Sequence, residues 1–155
     1  SDLNLKFEGF YYKIKSNSFS TSVDSSVNYI YPIFLYSDGS IIFSGAVKNK
    51  NVLRERLSEN NKTVWGYWGN FKINKDSIFI ETIGPGITAD SFHQVRRTRI
   101  GIIKKDTIII VKLIDRKKNE VLGEEKDTLL FTNFEIKPDS TKNWIRQKKR
   151  LFKKN

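Results

Sequence analysis

Along this chain apolar and polar positions alternate in short stretches bounded by Gly, Pro, Asn, Asp and Ser. That period of two marks β-strands, and helical spacing is scarce. The pattern predicts strands over 7–15, 27–36, 40–47, 64–73, 77–83, 92–103, 107–114 and 128–136. About eight strands joined by short links predict an all-β, antiparallel up-and-down meander, closed into a barrel or split into an open sandwich. Between the second and third strands, Asp38-Gly39 predicts a tight type I′ hairpin, whose two central residues both need positive φ.

A weak repeat supports the meander. Lys75-Asp76-Ser77-Ile78, Lys105-Asp106-Thr107-Ile108 and Lys126-Asp127-Thr128-Leu129 each read as a hairpin corner feeding a strand, the Asp accepting from amides just downstream. One carboxylate beside a lysine is not a calcium loop. Gly84-Pro85-Gly86 reads as a further turn and lacks the context of a phosphate cradle. Two segments carry helical spacing. Leu53 and Leu57 stand four apart in 51–60, predicting a short surface helix. After Lys137-Pro138, Asp139 or Ser140 can cap a basic helix with Trp144, Ile145, Leu151 and Phe152 on one face, Lys148 laying its methylenes beside them. The organisation expected is one domain, a barrel over 1–139 with an amphipathic helix over 140–155 packed outside it.

Composition narrows the chemistry. The 155 residues contain no Cys and a single His, which removes thiolate metal sites, disulfides, cysteine nucleophiles and most histidine-based triads. His93 is expected to point outward without a carboxylate partner, so no catalytic residue, metal or cofactor is assigned and the domain is read as non-enzymatic. The numbered chain starts at Ser1 and holds no Met, from which an exported domain is expected, its leader and a lipid-bearing cysteine removed. Charge is uneven: residues 1–95 carry ten Lys/Arg against nine Asp/Glu, and residues 96–155 carry eighteen against eight. Polyanions are attracted by such a field, with Arg97, Arg99, Lys148, Lys149 and Arg150 as candidate contacts for a membrane or polyanion.

The element order then resembles the lipocalin-like (calycin) barrels of small exported bacterial lipoproteins. The resemblance rests on the early Phe7-Glu8-Gly9-Phe10-Tyr11-Tyr12 strand and on Trp65-Gly66-Tyr67-Trp68-Gly69-Asn70-Phe71-Lys72-Ile73 leading into a Lys-Asp-Ser corner. Successive hairpins and the closing Phe134-Glu135-Ile136-Lys137-Pro138-Asp139-Ser140 before a terminal helix complete it. It implies an eight-stranded barrel able to hold a small apolar ligand, in the cell envelope as a periplasmic or outer-membrane-attached lipoprotein.

Strand parity supplies candidates for such binding. Trp65, Tyr67, Phe71 and Ile73 share one face of the fourth strand, and Phe92, Gln94, Arg96, Thr98, Ile100 and Ile102 one face of the sixth. With apolar sets inward, Arg96 enters the barrel while Arg97 and Arg99 project outward. The ligand-binding set is then Trp65, Tyr67, Phe71, Phe92 and Arg96. The expected function is an exported, monomeric binding module for a small lipophilic or acidic-headed ligand. Two alternatives stand beside it: a filled barrel that binds another protein, and weak binding of polyanions, without specific nucleic-acid recognition, through the basic second half.

Overall fold

The computed structural model describes residues 5–16, 28–59, 65–88, 91–123 and 127–147, with the backbone alone at 14–16, 85–88, 91–93, 123 and 146–147. In chain order the elements are β1 (Gly9–Ser16), β2 (Asn28–Leu35), β3 (Ser40–Ser44), α1 (Lys50–Glu59), β4 (Gly66–Asn74), β5 (Ser77–Thr88), β6 (Ser91–Lys104), β7 (Thr107–Asp115), β8 (Glu120–Gly123) and β9 (Asp127–Asn133). A 3-10 turn (Ser140–Lys142) and α2 (Trp144–Gln147) follow. Each strand from β1 to β7 pairs antiparallel with the next, and β9 pairs with both β7 and β1, closing the sheet. Closure decides against the open sandwich. On the free edge of β7 the first residues pair with β9 and the last with β8, so these two short strands share one place in an eight-place barrel. Glu120-Val-Leu-Gly is too short and too weakly alternating to have been read as a strand.

Strands β1 to β3 are apolar on both faces, and the fold uses both. Tyr11, Ile33, Leu35 and Ile41 face the interior, packed with Phe71, Ile78, Ile80, Ile103, Ile108 and Leu129. The alternate positions Phe10, Phe34 and Ile42 face out and are covered by α1 through Leu53 and Leu57, all five fully or almost fully buried. Each such large side chain contributes about 1.5–3 kcal/mol of transfer free energy. Asn49 starts this helix by accepting from the Val52 amide at 3.0 Å.

The two ends of the barrel differ. At the corner end the ladders run to their turns. Lys75 and Lys105 take left-handed φ of 56° and 51°, and the carbonyls of Gly39, Asp76 and Asp106 each accept an amide from a further strand, at Phe71, Ile103 and Phe131. At the three corners where Asp was expected to accept a downstream amide, Asp76 accepts the Ser77 hydroxyl, Asp106 pairs with Lys6 and Asp127 with Lys13, and bonds of the expected kind form instead at Asp38, Asp115 and Asp139. At the opposite end two ladders stop short. The β4–β5 pairing begins only at Gly69 and Thr82, and the β1–β9 pairing ends at Tyr12 and Leu130. The barrel wall therefore parts there into two half-sheets, β1 to β4 and β5 to β9.

Two turn readings are corrected. The Asp38-Gly39 link is a three-residue loop, because only Gly39 has positive φ (84°) and its amide bonds the Tyr36 carbonyl: a type I turn with a bulge in place of type I′. Gly84-Pro85-Gly86 is strand, paired with Val95, Gln94 and His93. Proline is tolerated because β4 has already left that edge of β5, so no ladder amide is missing. After the barrel, Asp139 caps the 3-10 turn at the Thr141 amide, as one of the two expected caps. Asn143, buried, donates to Ser40 Oγ and the Gly69 carbonyl, and Ile145 beside it is fully buried while Trp144 is half-buried. Leu151, Phe152, Lys148, Lys149 and Arg150 lie outside the described residues.

Candidate functional site

Where the half-sheets part, a cavity of about 500 Å³ opens at the mouth, walled by β1 to β7 and β9. Ile33, Phe43, Ile110 and Leu129 form an apolar floor continuous with the core. Above the floor stand Lys13, Arg97, Arg99 and Asp127, and the rim carries Trp65 and Tyr67. Gly84 makes room for one of these: a Cβ there would lie 3.1 Å from the Tyr67 ring.

Register explains the charged wall. Thr82 and Ile80 face the interior, and β6 sets Arg97 opposite Thr82 and Arg99 opposite Ile80. The arginines therefore alternate with Thr98 and face in together, two residues apart. Arg99 donates to Thr82 Oγ1 at 3.2 Å and lies 4.9 Å over the Phe43 ring, a half-buried cation against an aromatic face. The Nε atoms of Arg97 and of the neighbouring Arg96 are both buried with no hydrogen-bond acceptor among the described residues, and of the two only Arg97 lines the cavity. Lys13 and Asp127 form an ion pair across the gap where β1 leaves β9. Among the described residues the wall thus holds three cations against one carboxylate, and that carboxylate already faces Lys13.

This reverses the parity expected for β6. Arg96 points outward, its Nη2 2.7 Å from Glu81 Oε2, while Arg97 and Arg99, expected outside, are in the barrel. The reversal has a physical source. The inward positions of β6 are Val95, Arg97, Arg99, Gly101 and Ile103, of which the middle three are not apolar, whereas the outward Ile100 and Ile102 gave the wrong face the apolar signature. Had β5 been followed through Pro85 to Thr88, its pairing with Ser91 would have fixed the register and found both arginines. Of the other candidates, Trp65 and Tyr67 line the mouth, Trp65 at 90% exposure, and Phe71 is buried in the interior core. The side chains of Phe92 and His93 lie outside those described. Lys13 and Asp127 carried no sequence signal, since their proximity depends on closure of β1 against β9.

Among the described residues no cluster of His, Asp and Glu is placed to hold a metal ion. Compared with known protein families, with curated proteins and with solved structures, the chain matches none.

Proposed function

We propose that this domain is a non-enzymatic binding module whose mouth cavity takes a small amphiphile by an anionic head, in the manner of a lipocalin-like barrel. The observation that carries the reading is the inward pair Arg97 and Arg99 above an apolar floor. A half-buried cation with an unsatisfied Nε is costly, and a carboxylate or phosphate would offset the cost through charge-assisted, bidentate hydrogen bonds. A volume of about 500 Å³ lies in the usual range for small-molecule sites, which favours this reading over a barrel with a filled core. Closed antiparallel connectivity, a plugged end and an open end also favour the likeness to lipocalin-like barrels.

Native mass spectrometry of protein purified from its own host, followed by titration with a fatty acid and an alkyl phosphate of the same chain length, tests it. Arg97→Leu is expected to weaken binding of either by about tenfold or more, the worth of a desolvated charge-assisted bond, while Arg96→Leu leaves binding intact. Absence of both a co-purified molecule and measurable affinity would hand the function to the protein-binding alternative.

A further inference from the structure

The mouth end exposes apolar side chains that the cavity does not enclose. Trp65 is 90% exposed, and Val121 and Leu122 on β8 are 52% and 48% exposed. Strand β8 belongs to the same end: Glu120 pairs with Asp115, and Asp115 stands opposite Arg97 of the cavity wall. Exposed cations stand beside these groups. Arg116, Lys117 and Lys118 make the turn from β7 to β8, fixed by Asp115, which accepts the Lys117 and Lys118 amides at 2.9 and 3.3 Å. Across the mouth, Arg56 donates to the carbonyl of Ala46, a rim residue. The corner end exposes Ile73 and Phe79 to a smaller extent, 40% and 37%, and its Lys75 and Lys105 are each followed by an aspartate.

The geometry points to the mouth end as a peripheral docking face for an anionic lipid bilayer, with Trp65 and the Val121-Leu122 step entering the interface and Arg56, Lys117 and Lys118 meeting headgroups. The mixture of groups selects this partner over other polyanions. Single-stranded nucleic acid is held by aromatic faces on which bases stack, and the aliphatic Val121 and Leu122 offer none. An indole, by contrast, partitions to the headgroup boundary, and aliphatic side chains gain by leaving water there. Each basic residue near an anionic surface strengthens attachment by about fivefold. Docked in this way, the cavity would open directly onto the lipid surface, but the docking face stands whether or not the cavity takes a ligand.

Co-sedimentation of the full chain with vesicles, at about 0.1 M salt where charge is screened beyond about 10 Å, is the test. Binding is expected to phosphatidylcholine vesicles containing about 30% phosphatidylglycerol and not to phosphatidylcholine alone. Lys117→Gln with Lys118→Gln should weaken it by about 25-fold, two charges at about fivefold each. Trp65→Ala and the pair Val121→Ser with Leu122→Ser should each weaken it by about fivefold or more, and all three proteins should melt as the parent does. Should the apolar pair not fold, the lysine pair still reads the face. The proposal is overturned if the parent ignores anionic vesicles. It is equally overturned if rim variants bind like the parent while Lys148→Gln, Lys149→Gln and Arg150→Gln together abolish binding, or if a single-stranded oligonucleotide binds in solution more tightly than the vesicles do. Titration with a soluble monomeric amphiphile on the lysine variant separates this outcome from failure of the cavity reading.

Discussion

The two ends of this barrel are built from one strand pattern and solve opposite problems. At the corner end backbone carbonyls are engaged beyond their own hairpins. Turn carbonyls accept amides from more distant strands, Lys137 Nζ donates to the carbonyls of Phe7 and Leu35 while lying 4.2 Å over the Tyr36 ring, and the Tyr36 hydroxyl donates to the Pro138 carbonyl at 2.7 Å. Leu5 and Phe7 pack against the interior core. At the mouth end two ladders stop, cations face inward, and the buried Nε of Arg97, like that of the outward Arg96, has no acceptor among the described residues. The difference teaches how one strand pattern divides its labour: hydrogen bonds satisfied internally hold a fold, and groups left unsatisfied are the ones a ligand could satisfy.

The largest expected contrast is between two tyrosines. Tyr11 is fully buried, edge-on to Phe131 at 5.2 Å, and its hydroxyl accepts the Lys6 amide. Tyr67 is 44% exposed at the rim. Tyr11→Ala should cost about 3–5 kcal/mol in urea denaturation, and Tyr67→Ala less than about 1.5. Equal losses would mean that the mouth is packed as tightly as the plug.

A second test uses alkaline pH. Burial raises the Tyr36 hydroxyl well above its ordinary value near 10, with Asp139 and Asp38 adding to the shift, and burial raises Tyr11 in the same direction. A raised folded value means that the unfolded chain gives up the proton first. The stabilisation is therefore complete below about pH 10 and is lost as pH climbs toward the folded value. Burial lowers Lys137, which works the other way and softens the decline. Tyr36→Phe should cost about 1–2 kcal/mol at neutral pH, through the orphaned Pro138 carbonyl, yet lose less than the parent between about pH 10 and 11. Parallel stability curves for the two proteins would show that the corner end does not hold this proton.

At the mouth the expected sign reverses. Arg97→Leu removes a half-buried charge that has no ion-pair partner among the described residues, so the variant should gain about 1 kcal/mol in thermal or urea melts while losing anion binding. A destabilised Arg97→Leu would instead place Arg97 among the structural groups.

How far the sequence could lead follows the same division. Alternation revealed the strands, the helix carrying Leu53 and Leu57, and the order of the meander, because burial on a defined face writes a period into the chain. It failed on β6, whose inward positions carry no apolar signature: Arg97 and Arg99 look like a solvent face until their partners on β5 are known. The Gly84-Pro85-Gly86 strand was hidden for a related reason. Proline there reads as a breaker, and only the absence of β4 from that edge makes it permissible. Lys13 and Asp127 are 114 residues apart and became neighbours only on closure.

The smallest effect concerns that closing pair. Both side chains are about three-quarters buried, at 24% and 25% exposure, and they bridge the place where β1 and β9 part. Asp127→Asn should lower stability by only about 0.5–1 kcal/mol, since an ion pair at an open mouth recovers part of its solvation when broken. It also removes a carboxylate from the wall that carries Lys13, Arg97 and Arg99, so an anionic amphiphile should bind several-fold more tightly. Lys13→Met should cost a similar amount of stability and weaken the same ligand, which makes the two variants alike in melting and opposite in binding. If both weaken binding equally, the pair shapes the mouth by holding β1 to β9 and does not act through its charge.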